Sequence, residues 1–91
     1  MKIANKDTGK YAGKKEPFVA NNLSGIAINK KYIIYSYGWY PLYICDRHGI
    51  WYENTTKYSI TTSKHKSQSH PWGSGKIIPK THKQLKKIFS L

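Results

Sequence analysis

The sequence predicts a small α+β domain in which a twisted antiparallel β-sheet of three to five strands packs against a C-terminal α-helix. Short runs of β-branched and aromatic residues recur along 18–53 at intervals of about eight to ten residues, as in a meander. A helix-capping signature at residue 81 precedes apolar residues with helical spacing. Between these regions, 61–69 is predicted to form a short polar helix or a loop.

The length of 91 residues suits one domain with a thin core. Residues 1–15 carry five lysines and two glycines among scattered apolar residues, which predicts a flexible basic N-terminal arm. The remaining 16–91 are predicted to form the single α+β domain. Its three Trp, eight Tyr and two Phe indicate real packing, because disordered chains lack such aromatic content.

The strands are predicted from apolar runs that turn residues separate. Pro41 cannot donate a backbone hydrogen bond, so the strand beside it starts there or lies at an edge. The loop 46–49 places Gly49 where a hairpin needs a left-handed residue, and a turn-prone segment at 21–25 separates the first two runs. The predicted strands are 18–20, 26–28, 32–37, 42–45 and 50–53.

Alternation assigns the strand side chains to two faces of the sheet. The odd-numbered residues of 32–37 share one face and the even-numbered residues the other, and Leu42 and Ile44 are predicted to lie together. Since neither face is cleanly polar, we expect one face under a helix and an aromatic face that is partly open. Trp39 and Tyr40 lie beside a turn, so they are the aromatic residues expected to be exposed.

The C-terminal helix is predicted at 81–90. Thr81 and Gln84 match a capping box, and an apolar stripe with i, i+3, i+4 spacing follows, at Leu85, Ile88 and Phe89. We expect the stripe to dock on the sheet, because a helix of this length is marginal alone. Lysines off the stripe point outward and are either solvated or in contact with phosphate: Lys83, Lys86 and Lys87.

The segment Thr61–His70 contains only hydroxyl, amide, imidazole and ammonium side chains, so it buries no apolar face of its own. A helix capped by Thr61 or Thr62 and running through about Ser69 would present backbone N–H groups to an anion. Side chains in and just before this segment suit phosphate as well: Lys57, Lys64, Lys66, Thr61, Thr62, Ser63, Ser67 and Gln68. The alternative is a solvated loop.

The charge balance favours an anionic partner. Sixteen Lys and Arg against four acids give a net charge of +12, which suits nucleic acid, a ribonucleoprotein or an acidic protein surface. An AT-rich coding sequence explains Lys in place of Arg, but it does not explain why acids are scarce. Residues 1–15 are too polar for a signal peptide and no apolar run approaches about 20 residues, so we expect a cytoplasmic protein with no membrane partner.

Several motifs follow one another in a characteristic order. Ser36-Tyr37-Gly38 precedes aromatic strands, then Trp51 and Asn54, and 57–68 reads KYSxTTSxHxxQ. This order, over about 18–70, resembles a group of small uncharacterised phage and plasmid proteins, although Lys66 stands where Gln is expected. The resemblance implies a viral or mobile-element origin and no particular reaction.

The binding surface predicted from the pattern, the charge and the exposed rings comprises Tyr37, Trp39, Tyr40, Lys57, Tyr58, Ser59, Thr61, Thr62, Ser63, Lys64, His65, Lys66, Gln68, Lys83, Lys86 and Lys87. Some of these residues have an alternative structural role. Tyr58 and Ser36 are candidates for burial within the fold, and His65 either orients a backbone group or contacts the ligand.

Catalysis and metal binding are not expected. Two-metal cleavage needs clustered carboxylates, whereas the four acids are scattered along the chain. Metal-free RNA cleavage would need His65 and His70 to converge as base and acid, which the sequence alone does not indicate. The lone Cys45 with His48 makes a weak zinc pattern. We therefore expect a protein that is not an enzyme, with no cofactor and no metal.

Two functions remain. The first is non-catalytic binding of DNA or RNA through phosphate contacts, with weak sequence specificity because Lys reads bases poorly. The second is inhibition of a bacterial defence system, as an anti-CRISPR protein does, by occupying a host effector protein or ribonucleoprotein. A homodimer that pairs an exposed strand at 18–28 is compatible with either function.

Overall fold

The computed structural model describes residues 2–91, which fold as an α+β domain with one six-stranded sheet and three helices. A 3-10 turn at Asn5–Asp7 precedes the first helix. The strands are β1 (Phe18–Ala20), β2 (Leu23–Ile28), β3 (Lys31–Ser36), β4 (Tyr40–Cys45), β5 (Trp51–Asn54) and β6 (Ile77–Lys80). The helices are α1 (Thr8–Gly13), α2 (Ile60–Gln68) and α3 (His82–Phe89).

The strands lie in chain order across the sheet, β1 to β6. The first five pair antiparallel as a meander, whereas β6 pairs parallel to β5. The prediction of α+β class with a C-terminal helix is therefore confirmed, and the prediction of at most five antiparallel strands is wrong. A parallel neighbour requires a crossover, and α2 lies within that crossover between β5 and β6.

The first hairpin is tighter than the sequence indicates. β2 begins at Leu23, directly after a two-residue turn at Asn21 and Asn22, so the turn occupies two residues of the five expected. Asn22 has a φ of 57°, which asparagine tolerates better than most residues. Leu23 is buried because its early pairing with Ser36 brings it into the core.

A β-bulge in β4 breaks the alternation on which one prediction depends. The register with β3 shifts between Ile34 and Tyr35, so Ile34 lies opposite Tyr43 and Tyr35 opposite Pro41. Leu42 consequently packs on one face and Ile44 on the other, and the expectation that they lie together is wrong. The alternation predicted within β3 is retained, since Tyr32 and Ile34 belong to one core and Ile33 and Tyr35 to the other.

Helices cover parts of both faces of the sheet. The larger core lies under α1 and α2 and is built around Tyr32, Ile34 and Trp51. The smaller core joins Ile33 and Ile44 to Leu85 of α3. The aromatic face that was expected to be partly open is therefore largely closed. The exposed rings of Tyr37, Trp39 and Tyr58 lie at one end of the sheet, and the exposed Trp72 lies beside α1.

The segment 1–15, predicted to be a flexible arm, is folded over the described residues 2–15. Thr8 and Ala12 of α1 are fully buried, and the Ile3 backbone N–H donates to the Val19 carbonyl at the edge of the sheet. Gly9 and Gly13 allow this packing, because a Cβ at either position would collide with the backbone of the 70–72 segment. The glycines that suggested flexibility are thus close-packing positions.

Helix α3 forms as predicted from its capping box. Thr81 accepts a hydrogen bond from the Gln84 backbone N–H at 3.2 Å, and the Gln84 side chain accepts one from the Thr81 N–H at 2.9 Å. Leu85 is buried and Phe89 packs beside Tyr52, with 5.4 Å between ring centroids. Within residues 2–91 no helix has the length and apolar character needed to cross a membrane.

Candidate nucleic-acid interface

Helix α2 turns the polar 57–72 segment into an ordered element. Ser59 is its N-cap, with the side chain accepting a hydrogen bond from the Thr62 backbone N–H at 3.1 Å. The expected cap at Thr61 or Thr62 is thus displaced by two or three residues. Thr61 consequently falls in the first turn of the helix with its side chain exposed.

One face of α2 is polar and buried. Thr62, His65 and the C-cap Ser69 recur at helical spacing and are buried. Thr62 and His65 lie against the buried Ser36 of β3. The Ser36 hydroxyl and His65 Nδ1 are 2.8 Å apart, and the Ser69 hydroxyl donates to the His65 carbonyl at 2.8 Å. No buried side-chain polar atom of residues 2–91 lacks a hydrogen-bond partner. Hydrogen bonds therefore replace apolar packing at this interface.

His65 belongs to the fold. Burial, together with the nearby Lys64 ammonium, lowers the pKa of the His65 imidazole below its ordinary value, so the ring is neutral at pH 7. The exposed Tyr37 ring covers it, with 5.4 Å between centroids. His65 Nδ1 is thus paired with the Ser36 side chain, and not with the backbone group that the sequence suggested.

Gln68 also faces the protein. Its side-chain oxygen accepts from Asn5 Nδ2 at 3.3 Å, and its backbone carbonyl accepts from the Thr8 hydroxyl at 3.2 Å. Asn5 in turn pairs with the backbone of Asn21. The end of α2 is thereby tied to the N-terminal segment and to the first hairpin.

The side of α2 that carries Ser63, Lys66 and Ser67 borders a cavity of about 530 Å³, called here the α2 cavity. Its walls are rich in hydroxyl groups and cations, with two apolar residues behind them. They are Thr55, Thr56, Lys57, Thr62, Ser63, Lys66, Ser67 and His70, backed by Leu42 and Tyr43. Such a lining supplies short donors and positive charge to an anion.

The two lysines of the α2 cavity differ in whether an acidic side chain balances their charge. Lys66 Nζ lies 2.7 Å from the Glu53 carboxylate, in the one salt bridge among residues 2–91. Its carbonyl also accepts from the Tyr43 hydroxyl at 3.1 Å, so Lys66 is held in place and its charge is balanced. Lys57 is exposed and forms no salt bridge there, which leaves it available to a ligand.

Aromatic side chains form a cluster next to this cavity, called here the aromatic cluster: Trp39, Tyr40, Tyr58 and His82. Trp39 and Tyr58 meet edge to face with 5.1 Å between centroids, and they remain 53% and 57% exposed. Tyr40 is only 3% exposed and stacks on His82, so the expectation that Tyr40 is exposed is wrong. Tyr40 supports the outer rings from behind.

The chain connects the cluster to the cavity directly. Lys57 lines the cavity and its neighbour Tyr58 belongs to the cluster, while the Tyr40 hydroxyl donates to the Thr56 carbonyl at 2.8 Å. This bond fixes the loop between β5 and α2 against the start of β4. Exposed rings and a cavity lined by hydroxyl and ammonium groups therefore lie side by side at one end of the sheet.

The predicted lysines of α3 divide between two environments. Lys86 lines a small cavity with Trp39 and His82, so its charge lies beside the aromatic cluster. Burial and the Lys86 ammonium lower the pKa of His82, which keeps that imidazole neutral at pH 7. Lys83 and Lys87 are exposed on the same helix, and Lys64 is exposed on α2; none of these three lines the α2 cavity.

Sequence reasoning missed several residues of this surface. Thr55, Thr56 and His70 line the α2 cavity, and His82 joins the aromatic cluster. These residues come from a loop, from the end of α2 and from the start of α3, and their convergence depends on the crossover to β6. The Asn54 side chain, which accepts from the Thr56 N–H at 3.0 Å, marks the turn that brings this loop back over the sheet.

The structure brings no three His, Cys, Asp or Glu side chains of residues 2–91 together in the way that a metal ion requires. Cys45 is buried in β4 with a free thiol. Comparison with known proteins finds no matching family model, no matching curated sequence and no matching solved structure. The likeness to small phage and plasmid proteins therefore stays a prediction.

Proposed function

We propose that this protein binds single-stranded nucleic acid, DNA or RNA, without catalysis, using the aromatic cluster to stack bases and the α2 cavity to hold phosphate. The observation that carries the proposal is the contact of two exposed rings, Trp39 and Tyr58, beside the free Lys57. The motif order at 36–68 supports a phage or mobile-element protein that acts in the host cytoplasm.

Two adjoining exposed rings form a surface that a ligand can cover. Trp39 and Tyr58 keep more than half of their surface in solvent although Tyr40 lies next to both. Base stacking on such a ring contributes about 1–3 kcal/mol per base and accepts any base, because every base has a π-face. Duplex DNA hides those faces, so the cluster favours single strands.

The charge distribution supports phosphate binding in the same place. Lys57 and Lys86 flank the aromatic cluster on its two sides, through the α2 cavity and the cavity that Lys86 shares with Trp39. Ser63 and Thr56 add neutral donors. Lysine acts as a point charge and reads base edges poorly, so the expected binding is weakly sequence-specific.

The test is the salt dependence of binding to fluorescein-labelled oligonucleotides of about 12 nucleotides, followed by fluorescence anisotropy. We expect single-stranded DNA or RNA to bind more tightly than the matching duplex. Between about 50 and 200 mM salt, the slope of log affinity against log salt concentration should be several units, with affinity falling as salt rises. Affinity that is flat over this range, or that favours the duplex, contradicts the proposal.

A second candidate is binding to a host defence effector, and one observation favours it. Val19, Ile26 and Ile28 are exposed on the outer strands, beyond the part of the sheet that α3 covers. A small apolar surface of this kind suits a protein partner. A pulldown from host lysate separates the two functions, because a stoichiometric partner that survives nuclease treatment supports inhibition.

A further inference from the structure

The end of the sheet opposite the aromatic cluster carries a second group of cations. Trp39 follows the last residue of β3, whereas Lys30 precedes its first residue, so the two lie at opposite ends of that strand. The loop between β4 and β5 reaches the same end as Lys30. There Lys15, Lys30, Lys31 and Arg47 line one cavity of about 240 Å³, called here the hairpin cavity.

The acids around the hairpin cavity form no salt bridge with its cations. Asp46 lines the cavity, but its Oδ1 already accepts the backbone N–H groups of His48 and Ile50, each at 2.9 Å. Glu16 lies near its Tyr32 wall, where burial and the Glu16 charge raise the pKa of the Tyr32 hydroxyl. The one salt bridge of residues 2–91 lies elsewhere, between Lys66 and Glu53.

The basic residues that line the hairpin cavity differ in where their charge lies. Lys31 Nζ donates to the Phe89 carbonyl at 3.4 Å and lies 5.8 Å from the centre of that ring, so its ammonium group is on the α3 side of the sheet, away from Tyr32 and Cys45. Lys15 Nζ lies beside the β4–β5 turn, next to Gly49. Arg47, the only arginine in the sequence, occupies the β4–β5 turn that Asp46 fixes. Arginine binds phosphate oxygens bidentately, which lysine does not.

Two of the lysines occupy backbone positions that do not favour lysine. Lys15 has a φ of 56° and Lys30 a φ of 65°, in the left-handed region where glycine is the least strained residue. Lys15 follows the C-cap of α1, and its positive φ belongs to the turn that closes the helix, in which the Glu16 N–H donates to the Tyr11 carbonyl. Lys30 is in the two-residue turn between β2 and β3, where both residues adopt positive φ. The two turns place both residues at the border of the hairpin cavity.

From these observations we propose that the hairpin cavity is a second phosphate-binding site, built by Lys15, Lys30 and Arg47 and separate from the aromatic cluster. Its ligand is a phosphate group, supplied either by a nucleic-acid phosphodiester or by a free diphosphate. This inference does not depend on the proposed function, because no residue of the aromatic cluster takes part.

The experiment is a titration of the ¹⁵N-labelled protein followed by two-dimensional NMR. Inorganic pyrophosphate is one ligand and a single-stranded oligonucleotide of about eight nucleotides is the other. We expect pyrophosphate to shift the amide signals of Lys30, Lys31 and Arg47. If the oligonucleotide shifts them too, the natural source is a phosphodiester; if only pyrophosphate does, the source is a free diphosphate.

Lys30→Gly is the decisive variant, since it removes the cation and gives the turn a residue that adopts positive φ readily. Its thermal midpoint should equal or exceed that of the wild type. Pyrophosphate binding at the hairpin cavity should weaken roughly fivefold to tenfold. Lys64→Ala, which loses the same charge from an exposed position on α2, should leave this binding within about twofold.

Three results overturn the inference. The first is that pyrophosphate shifts no amide signal at 30, 31 and 47, and the second is that its shifts are confined to 55–58 and 63. The third is that Lys30→Gly and Lys64→Ala weaken pyrophosphate binding equally, which indicates general screening. Repeating the titration with Trp39→Ala/Tyr58→Ala separates this inference from the proposed function. Hairpin-cavity shifts that persist while oligonucleotide stacking is lost support both ideas. Hairpin-cavity shifts without any oligonucleotide effect at Trp39 support this site alone.

Discussion

The two faces of helix α2 use the same kinds of residue for opposite purposes. On the inner face, Thr62, His65 and Ser69 are buried and hydrogen-bonded to the protein itself. On the outer face, Thr61 and Lys64 are exposed to solvent. The two sets have the same composition, and they differ only in the side of the helix on which each residue lies.

This difference shows that most of the 57–68 motif maintains the fold. Ser59 caps α2, His65 pairs with Ser36, and Gln68 holds Asn5. Among the exposed residues of the motif, Lys57 lines the α2 cavity and Tyr58 belongs to the aromatic cluster, whereas Thr61 and Lys64 belong to neither. Variants of the inner face should therefore change stability, and variants of the outer surface should change affinity.

The largest expected effect is on the inner face. His65→Ala removes a buried ring and leaves the Ser36 hydroxyl short of its 2.8 Å partner, so the free energy of unfolding should fall by about 2–4 kcal/mol. Urea denaturation followed by circular dichroism measures it. The matched control is Thr61→Ala, exposed on the same helix, which should change stability by less than about 0.5 kcal/mol. Equal losses in the two variants would mean that the inner face has no special role.

The aromatic cluster should give the next largest effect, on affinity. Trp39→Ala and Tyr58→Ala should each weaken single-strand binding by about 1–3 kcal/mol, because each removes a stacking surface. Val19→Ala, an equally exposed apolar residue on β1, is the control and should leave affinity unchanged. Anisotropy titrations compare the three variants. A loss in Val19→Ala as large as that in Trp39→Ala would place the binding surface elsewhere.

Mild acid should lower the free energy of unfolding through His65 on the inner face of α2. The pKa of His65 is lowered in the folded protein, so below its ordinary value of about 6.5 the unfolded chain binds a proton that the folded chain does not. Stability from this residue is full above about pH 6.5 and falls as pH drops toward the lowered pKa, by at most about 1.4 kcal/mol per pH unit.

Unfolding curves at several pH values test this sign, with His65→Gln as the comparison variant. The variant should lose part of the dependence that the wild type shows between neutral and mildly acid pH. His82 also has a lowered pKa, so some dependence should remain in the variant. Stability that rises as pH falls would contradict the buried neutral imidazole.

The smallest effect concerns a single charge. Lys57→Ala should reduce the slope of log affinity against log salt by about one unit, because one phosphate contact is lost. Lys66→Ala should instead lower stability, since Lys66 is paired with Glu53 at 2.7 Å. Anisotropy titrations of both variants over a range of salt concentrations therefore distinguish the two lysines, because the change in slope is expected for Lys57→Ala.

The sequence predicts the parts of the fold that depend on neighbouring residues. The Thr81–Gln84 capping box is local, and it predicts α3 correctly. Of the predicted docking stripe, Leu85 and Phe89 pack on the sheet, whereas Ile88 is 50% exposed and the prediction for it is wrong. Strand β6 was missed because Pro79 and short length weaken its signal and because its partner, β5, is distant in the chain. The same applies to the packing of Gly9, which depends on the segment 70–72.

The candidate site was predicted as a list of residue types, and the fold divides that list. The turn beside Trp39 correctly predicted that this ring is exposed, but whether a Thr or His of α2 points inward depends on the cap at Ser59. The bulge between β3 and β4 likewise decides which residues of β4 face each helix. Neither feature has a strong sequence signal, so the inner and outer faces separate only in three dimensions.

Ultraviolet crosslinking to a single-stranded oligouridine, with the attached peptides mapped by mass spectrometry, tests the central claim most directly. We expect crosslinks in 32–47 and 58–64, which contain Trp39 and Tyr58, and their loss in about 1 M salt. Trp72 is 63% exposed but lies outside the aromatic cluster, and it serves as the internal control. Crosslinks confined to the Trp72 peptide, or spread equally over all exposed rings, would contradict the account.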